Sequence, residues 1–380
     1  MIEASVYVHV PFCVVKCGYC DFTSYVPDGE DQLDVFLAML DRELALATVP
    51  QQPSSVFLGG GTPTFLDAER FARLFAILGR HIDLKGCPEV TVEANPESVT
   101  PEKAAIAAEA GVGRISIGAQ SFAADALRFL DRAHDAERTA RAFAIFRDAG
   151  FDNVSLDLMF GLPGQTLAQW DADLAAALRL RPDHLSCYNL TFEPGTKLHH
   201  EMTQGRVEPN DDRVDRAMFD HTRTVLHAAG FDAYEISNFA GRGGPCRHND
   251  HYWLQGDYVG VGPSASSHRG GTRWTSFKPI DRWARSIADG VPPVASAETL
   301  TRDEQAGEAI WLGLRRTAGV DLAAVEARVD VPLRERFAEP IEAGETAGLL
   351  EIVDGRLRLT PAGLIQADAV GATFLVARET

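Results

Sequence analysis

The stretch Tyr7 to Phe22, YVHVPFCVVKCGYCDF, sets Cys13, Cys17 and Cys20 at CxxxCxxC spacing on one short loop. The apolar run before it, Val6–Val10, reads as a β-strand, so the three thiols stand directly behind a strand end. A [4Fe–4S] cluster usually takes four thiolates, so three leave one iron open to an exchangeable ligand, as a catalytic metal site requires. The nearest further cysteine is Cys87, far along the chain. On the loop alone a structural zinc knot, with His9 or Asp21 as fourth ligand, is the other reading.

Outward from this loop, short β-branched runs alternate with amphipathic segments as far as about Phe239, the pattern of βα units on a parallel sheet. The strand runs are Val6–Val10, Val56–Leu58, Val90–Ala94, Arg114–Ile117, Asn153–Met159 and His184–Leu190. Between them, Asp31–Ala47 carries Leu33, Leu37, Leu40 and Leu44 at helical spacing, one apolar face to pack on the sheet. Ala110-Gly111, Ala149-Gly150 and Ala229-Gly230 each close a helical stretch with the residue that accepts the left-handed C′ conformation. Thr100-Pro101 opens one, with a capping hydroxyl and a proline at the first helical position. Six βα units predict an α/β protein built on a partial (β/α)6 barrel; periodicity alone leaves a flat doubly wound sheet open.

From Gly241 to Gly244 a glycine-rich segment breaks the pattern, and after His268 the βα rhythm does not return. The expected domains are a core over 1–240, a connecting region over 241–300 and a small α+β module over 301–380. The module reads as two or three helices, a hairpin of Leu349–Val353 and Arg356–Leu359 around Asp354-Gly355, and a helix starting at Thr360-Pro361. That order is winged-helix-like.

Composition narrows the function classes. The 380 residues are 45% apolar, with 36 Lys plus Arg against 54 Asp plus Glu, a formal balance of −18. Such an acidic chain argues against a nucleic-acid surface or a polybasic membrane contact, so the winged module reads as a packing or partner surface. The N-terminus has no basic leader region, and no apolar run approaches the roughly 18 residues of a membrane span. Six cysteines, half of them on one loop, suit a reducing compartment, which places the protein in the cytoplasm and leaves Cys87, Cys187 and Cys246 as buried or incidental thiols.

In a βα barrel reactive groups gather at the C-terminal ends of the strands. Strand by strand these ends carry the three cysteines, Gly59-Gly60-Gly61-Thr62-Pro63-Thr64, Glu93, Gln120, Asp157 and Tyr188-Asn189. The triple glycine lets main-chain groups approach a ligand, and without a following Gly-Lys-Ser/Thr it is no phosphate loop. A single Glu93 or Asp157 reads equally as a salt-bridge carboxylate; their regular placement on strand ends favours a common site.

The cysteine loop, with an aromatic before its last cysteine, resembles that of radical S-adenosylmethionine (SAM) enzymes. That resemblance implies a [4Fe–4S] cluster whose open iron binds the methionine end of SAM. GGGTPT, VEANP (92–96), GAQSF (118–122), LDRAH (130–134) and DLMFGLPGQT (157–166) are similar to the coproporphyrinogen-oxidase-like branch. By position the resemblance makes Tyr7, Gly60, Gly61, Thr62, Glu93, Gln120, Arg132 and Asp157 contacts of SAM.

Two functions live in that branch: oxygen-independent coproporphyrinogen III oxidation, and heme binding and transfer by HemW-type chaperones. Phe22 stands where the oxidases carry a further cysteine, Cys13 leaves no room for their long leading segment, and 234–268, with its HNxxYW motif, is similar to the HemW signature. The resemblance therefore implies a heme chaperone with a heme-accepting protein as partner, and an oxidase as the alternative. His248, which opens HNDHYW, is the implied heme ligand, with His251 as its rival. The tail from Trp311 to Leu364 is similar too; at Ala367-Asp368, where related tails read Ser-Asn, the departure is expected to have no bearing on the site.

Overall fold

The computed structural model describes residues 4–376. The ends of the first and last expected domains, 1–3 and 377–380, lie outside the described residues.

The six runs form β1 (Ser5–Val10), β2 (Val56–Gly60), β3 (Val90–Ala94), β4 (Arg114–Gln120), β5 (Val154–Phe160) and β6 (His184–Asn189), neighbours in that order and all parallel. Each is joined to the next through at least one helix on the outer face. The alternation within a strand explains this. Val6, Val8 and Val10 point outward onto helix Glu30–Leu46, which buries Leu33, Leu37, Leu40 and Leu44, while Ser5, Tyr7 and His9 point inward. Gly111, Gly150 and Gly230 take positive φ behind their helices, and the Thr100 side chain accepts the Lys103 amide.

Two short strands, β7 (Asp232–Ala233) and β8 (Asn238–Ala240), close the β6 side antiparallel. The segment expected to connect two domains instead continues the main sheet. β9 (Tyr258–Val261) pairs parallel with β1, and β10 (Ser266–Arg269), β11 (Thr272–Ser276) and β12 (Val294–Thr299) follow antiparallel to give twelve strands. Glu43 pins this extension to the barrel. Its buried carboxyl group accepts the Gly262 amide at 2.7 Å and the Trp283 indole N–H at 3.1 Å.

From residue 302 onward a second core assembles around Ile310, Leu314, Leu333, Phe337, Leu357 and Phe374. Helix Arg302–Gly313 leads into β13 (Val320–Asp321), and helices Leu322–Val329, Leu333–Arg336 and Ala338–Thr346 separate it from β14 (Leu350–Val353) and β15 (Arg356–Leu359), with which it forms a three-stranded sheet. Asp354 and Gly355 both have positive φ, the twist a two-residue hairpin needs. The helix expected from Thr360-Pro361 does not form there. The Thr360 hydroxyl accepts the Gly363 amide in a turn, and the chain is helical only at Leu364–Gln366 (3-10) and Ala367–Ala372. Among the described residues no helix is long and apolar enough to cross a membrane.

The module fills the open side of the barrel. Thr317 bonds to the Ala233 and Tyr234 carbonyls beyond β6, and Arg316 bonds to Asp250 on the helix Arg247–Trp253. Arg315 lies over the Trp253 ring at 4.8 Å.

Candidate functional site

Inward-facing residues of the parallel strands line one cavity of about 940 Å³. Gly60 and Gly61 come from β2 and the turn after it, Glu93 from β3, Ser116, Gly118 and Gln120 from β4, Asp157 from β5, and Tyr188 and Asn189 from β6. Cys13, Cys17 and Cys20 line its upper end, and Arg132 lies beside them. The curved sheet thus gives the strand ends a common interior, as a partial barrel does.

The two loops at this end are knitted by their main chains. Gly61 N–H donates to Val10 O (2.8 Å) and Thr62 N–H to Phe12 O (2.7 Å). A Cβ on Gly61 would sit 2.7 Å from that backbone, and one on Gly60, at φ +99°, would sit 2.3 Å from His9 Nδ1. No side chain fits at either position, so only glycine lets the two loops close this tightly. Gly60 N–H also donates to Glu93 Oε2 at 3.2 Å.

Glu93 and Asp157 share the cavity wall. Burial first, and then Asp157, pushes the Glu93 carboxyl up to about 7. Burial raises Asp157 as well, partly offset by hydroxyl donors; Ser116 Oγ lies 3.0 Å from both of its oxygens. Two carboxyls whose charge burial opposes suit a ligand bearing hydroxyls and positive charge.

Burial also raises the Cys13 thiol and pushes Cys20 up to about 11. Ligation here therefore needs the positive charge that a metal supplies. The zinc reading fits poorly. Among the described residues no three His, Cys, Asp or Glu side chains converge as a single-ion site does. His9 is committed on both nitrogens, Nδ1 with the Tyr7 hydroxyl (3.0 Å) and Nε2 with Thr23 O (2.7 Å). Three thiols of one loop that line one cavity match the number a cluster with one open iron takes.

Not every expected residue reaches the cavity. Tyr7 lies beneath it, stacked on Phe57 at 6.3 Å, and Thr62 braces its wall, with its hydroxyl 3.5 Å from Cys13 Sγ. Gln120 lines it from a left-handed backbone, φ +62°, where the β4–β5 register shifts. Such bulges re-aim side chains beside sites.

His248 is not brought together with the cysteines. The Glu89 carboxylate, just before β3, accepts the amides of Arg247 and His248 at 2.9 and 3.0 Å. Ser55, just before β2, meets His248 Nδ1 at 2.9 Å. The helix Arg247–Trp253 therefore plugs the N-terminal floor of the barrel, with the His248 ring 5.1 Å from that of Phe57. Burial, then His251 and Arg114, lowers His248 to about 3. His251 is also engaged, with Nε2 2.7 Å from Asp257 O.

The reading of Ala367-Asp368 needs correcting. Leu364 through Ala369 line the cavity together with Arg315, Ile236 and Ser237, and Asp368 bonds to Arg315 Nη1 at 2.7 Å. The C-terminal module is thus a wall of the site, and the departure at 367–368 falls on that wall. Asn95, two residues after Glu93 in the VEANP run, lines the cavity as well, beyond the residues that strand ends alone select.

Comparison with known proteins extends this picture. Residues 7–177 match the radical SAM superfamily model and 300–365 that of the HemN C-terminal domain. The protein described as heme chaperone HemW in Mycobacterium tuberculosis is 40% identical over 375 residues, 97% of this chain and 94% of its own length. HemW of Bacillus subtilis is 35% identical, over 98% of this chain and 99% of its own length. Coproporphyrinogen III oxidase (HemN) of Escherichia coli has the same fold, with a TM-score of 0.84 over 98% of this chain and 90% of its own, at 22% identity. Identity of this degree, sustained from the cysteine loop through the barrel floor to the C-terminal wall, makes the chain a member of the HemW family within the radical SAM superfamily.

Proposed function

We propose that this chain is a heme chaperone, which binds heme in the cytoplasm and hands it to an acceptor protein. One observation carries the reading: the similarity to HemW proteins spans 97% of the chain, including the floor helix and the C-terminal wall as well as the cysteine loop. Membership of the radical SAM superfamily implies a [4Fe–4S] cluster and SAM. Cys13, Cys17 and Cys20 would hold the cluster, which when bound anchors SAM and supplies an electron to it. Gly60 and Gly61, whose N–H groups are spent on Glu93 and Val10, would offer main-chain carbonyls to the methionine end. Glu93, Gln120 and Asp157 take the hydroxyl-bearing part, Arg132 steadies Cys17, and Tyr7 and Thr62 support the wall.

The oxidase alternative is disfavoured by the cavity's charge. Apart from the Arg315–Asp368 pair and the carboxyls assigned to SAM, a tetracarboxylate porphyrinogen would meet Arg132 and Arg216, but also Asp21, Glu193, Asp212 and Asp215. Carboxylates outnumber the cations that would have to receive it.

Heme ligation by His248 belongs to this proposal. The Ser55 contact on Nδ1 leaves Nε2 for the iron, but the ring is packed against Tyr7 and Phe57 on the barrel floor, so the floor helix has to shift from Glu89 before a porphyrin reaches it. The test is heme titration followed in the Soret band, beside anaerobic incubation with coproporphyrinogen III, SAM and reductant. Stoichiometric heme uptake without decarboxylated product is expected. Catalytic formation of protoporphyrinogen IX would overturn the proposal.

A further inference from the structure

Between Cys13 and Cys17 runs an unbroken chain of polar contacts through three side chains. Thr62 Oγ1 lies 3.5 Å from Cys13 Sγ. Asn95 Nδ2 donates to Thr62 Oγ1 at 2.7 Å, and Arg132 Nη2 donates to Asn95 Oδ1 at 2.6 Å. Arg132 Nη1 completes the chain, donating to Cys17 Sγ at 3.6 Å.

The polarity of this chain is fixed by chemistry. A guanidinium only donates, so Asn95 must turn its carbonyl toward Arg132 and its NH2 toward Thr62. The Thr62 oxygen then accepts, which leaves its own O–H free to donate to Cys13 Sγ. Both sulfurs consequently receive a donor, and the direction of the Thr62 bond depends on Asn95. The geometry is closely held. Thr62 is buried, Arg132 Nη2 also donates to Gly118 O at 2.9 Å, and a Cβ on Gly118 would meet Asn95 Oδ1 at 3.0 Å.

We infer that Asn95 is a positioning residue: acting through Thr62, it aims a hydroxyl donor at the Cys13 sulfur while Arg132 serves Cys17, and so tunes the reduction potential of the cluster. The inference rests on the reading that Cys13 and Cys17 hold that cluster. Donors to ligand sulfurs stabilise the reduced, more electron-rich state and raise the potential. An aspartate at 95 accepts from both neighbours. It draws the Thr62 hydroxyl away from Cys13 and adds negative charge beside the cluster.

The test is a potentiometric titration, followed by the electron paramagnetic resonance signal of the reduced cluster, on the reconstituted full chain without SAM. Wild type, Asn95→Asp, Thr62→Val and Thr62→Ser are compared at equal iron content. Thr62→Val and Asn95→Asp should shift to more negative potential, Asn95→Asp further of the two, while Thr62→Ser stays with wild type. Should Asn95→Asp fail to take up a cluster, the Thr62 pair still decides. A wild-type potential in Asn95→Asp or in Thr62→Val overturns the inference, as does a Thr62→Ser shift equal to that of Thr62→Val. A wild type that takes up no iron or sulfide overturns the parent reading as well, and is told apart by that analysis.

Discussion

Arg316 and Asp250 meet through two hydrogen bonds, from Nε at 2.6 Å and from Nη2 at 3.2 Å. The first residue belongs to the C-terminal module and the second to the helix that plugs the barrel floor. Arg315 over Trp253, and Arg328 donating to Leu254 O at 2.8 Å and Gln255 Oε1 at 2.9 Å, reinforce the grip. The module that walls the cavity therefore also holds the helix bearing His248.

Arg316→Ala leaves the half-buried Asp250 carboxylate unpaired, at a cost of about 1–3 kcal/mol. Hydrogen exchange should quicken across 247–254 more than across β3 to β5. Uniform quickening through the barrel would show that the pair does not act on the floor helix in particular.

Alanine at Cys13, Cys17 or Cys20 should abolish the visible cluster absorbance. The same change at Cys87, Cys187 or Cys246 should leave it intact. Cys87 faces the Pro53 and Glu89 carbonyls at 3.5 and 3.3 Å, and the other two are buried away from the loop. Loss of absorbance in any of these three variants would end the three-ligand assignment.

Glu93→Ala and Asp157→Ala should each weaken SAM binding roughly tenfold, about 1.4 kcal/mol, by calorimetry at unchanged iron content. Full affinity in both variants would return these carboxyls to a structural role.

The buried Glu43 predicts a pH dependence of stability. Burial pushes its carboxyl from 4.5 up to about 8, against the pull of the Gly262 amide and the Trp283 indole. Between those values the folded chain keeps a proton that the unfolded chain has lost, so stability falls as pH rises through the window. The contribution is fully present below 4.5. Comparing urea midpoints near the two ends of the window, Glu43→Gln should have the flatter profile; identical slopes would contradict the assignment.

Heme titration of His248→Ala and His251→Ala checks the ligand. His248→Ala should lose the Soret shift while keeping the cluster signal. Because ligation requires the floor helix to unseat, heme should also speed exchange at 247–254 in wild type. A loss confined to His251→Ala would reassign the ligand.

The parallel strands were legible because each is a short β-branched run set between helical stretches, and a run such as Val90–Ala94 has little else it can be. The cysteine loop and Glu93 were legible from spacing and strand ends. β9 was not, because Tyr258–Val261 is four residues long and its pairing with β1 leaves no periodic trace. Gln120 was named from its strand end, but the bulge that turns it into the cavity leaves no mark in the sequence. His248 reads as a ligand in sequence because histidine beside aromatics can bind heme. Its place on the floor depends on Glu89 and Ser55, both remote in sequence. At Thr360-Pro361 the cap residues were present, but the Thr360 hydroxyl is spent on Gly348 O and the Gly363 amide, a turn rather than a helix start.

The pairing of β1 with β9 also orders events at the ribosome. Ser5 lies opposite Tyr258 and Val8 opposite Val261, so the strand that carries the cysteine loop leaves the tunnel well before β9 and gains its second neighbour only once that strand has emerged. Until then β1 is an edge strand with unpaired amides and carbonyls, the kind of surface that invites wrong partners during synthesis. Closing contacts between residues so distant in sequence is slow. Iron delivered to a nascent chain would find three cysteines on an unfinished edge, whereas iron delivered after release would find them seated.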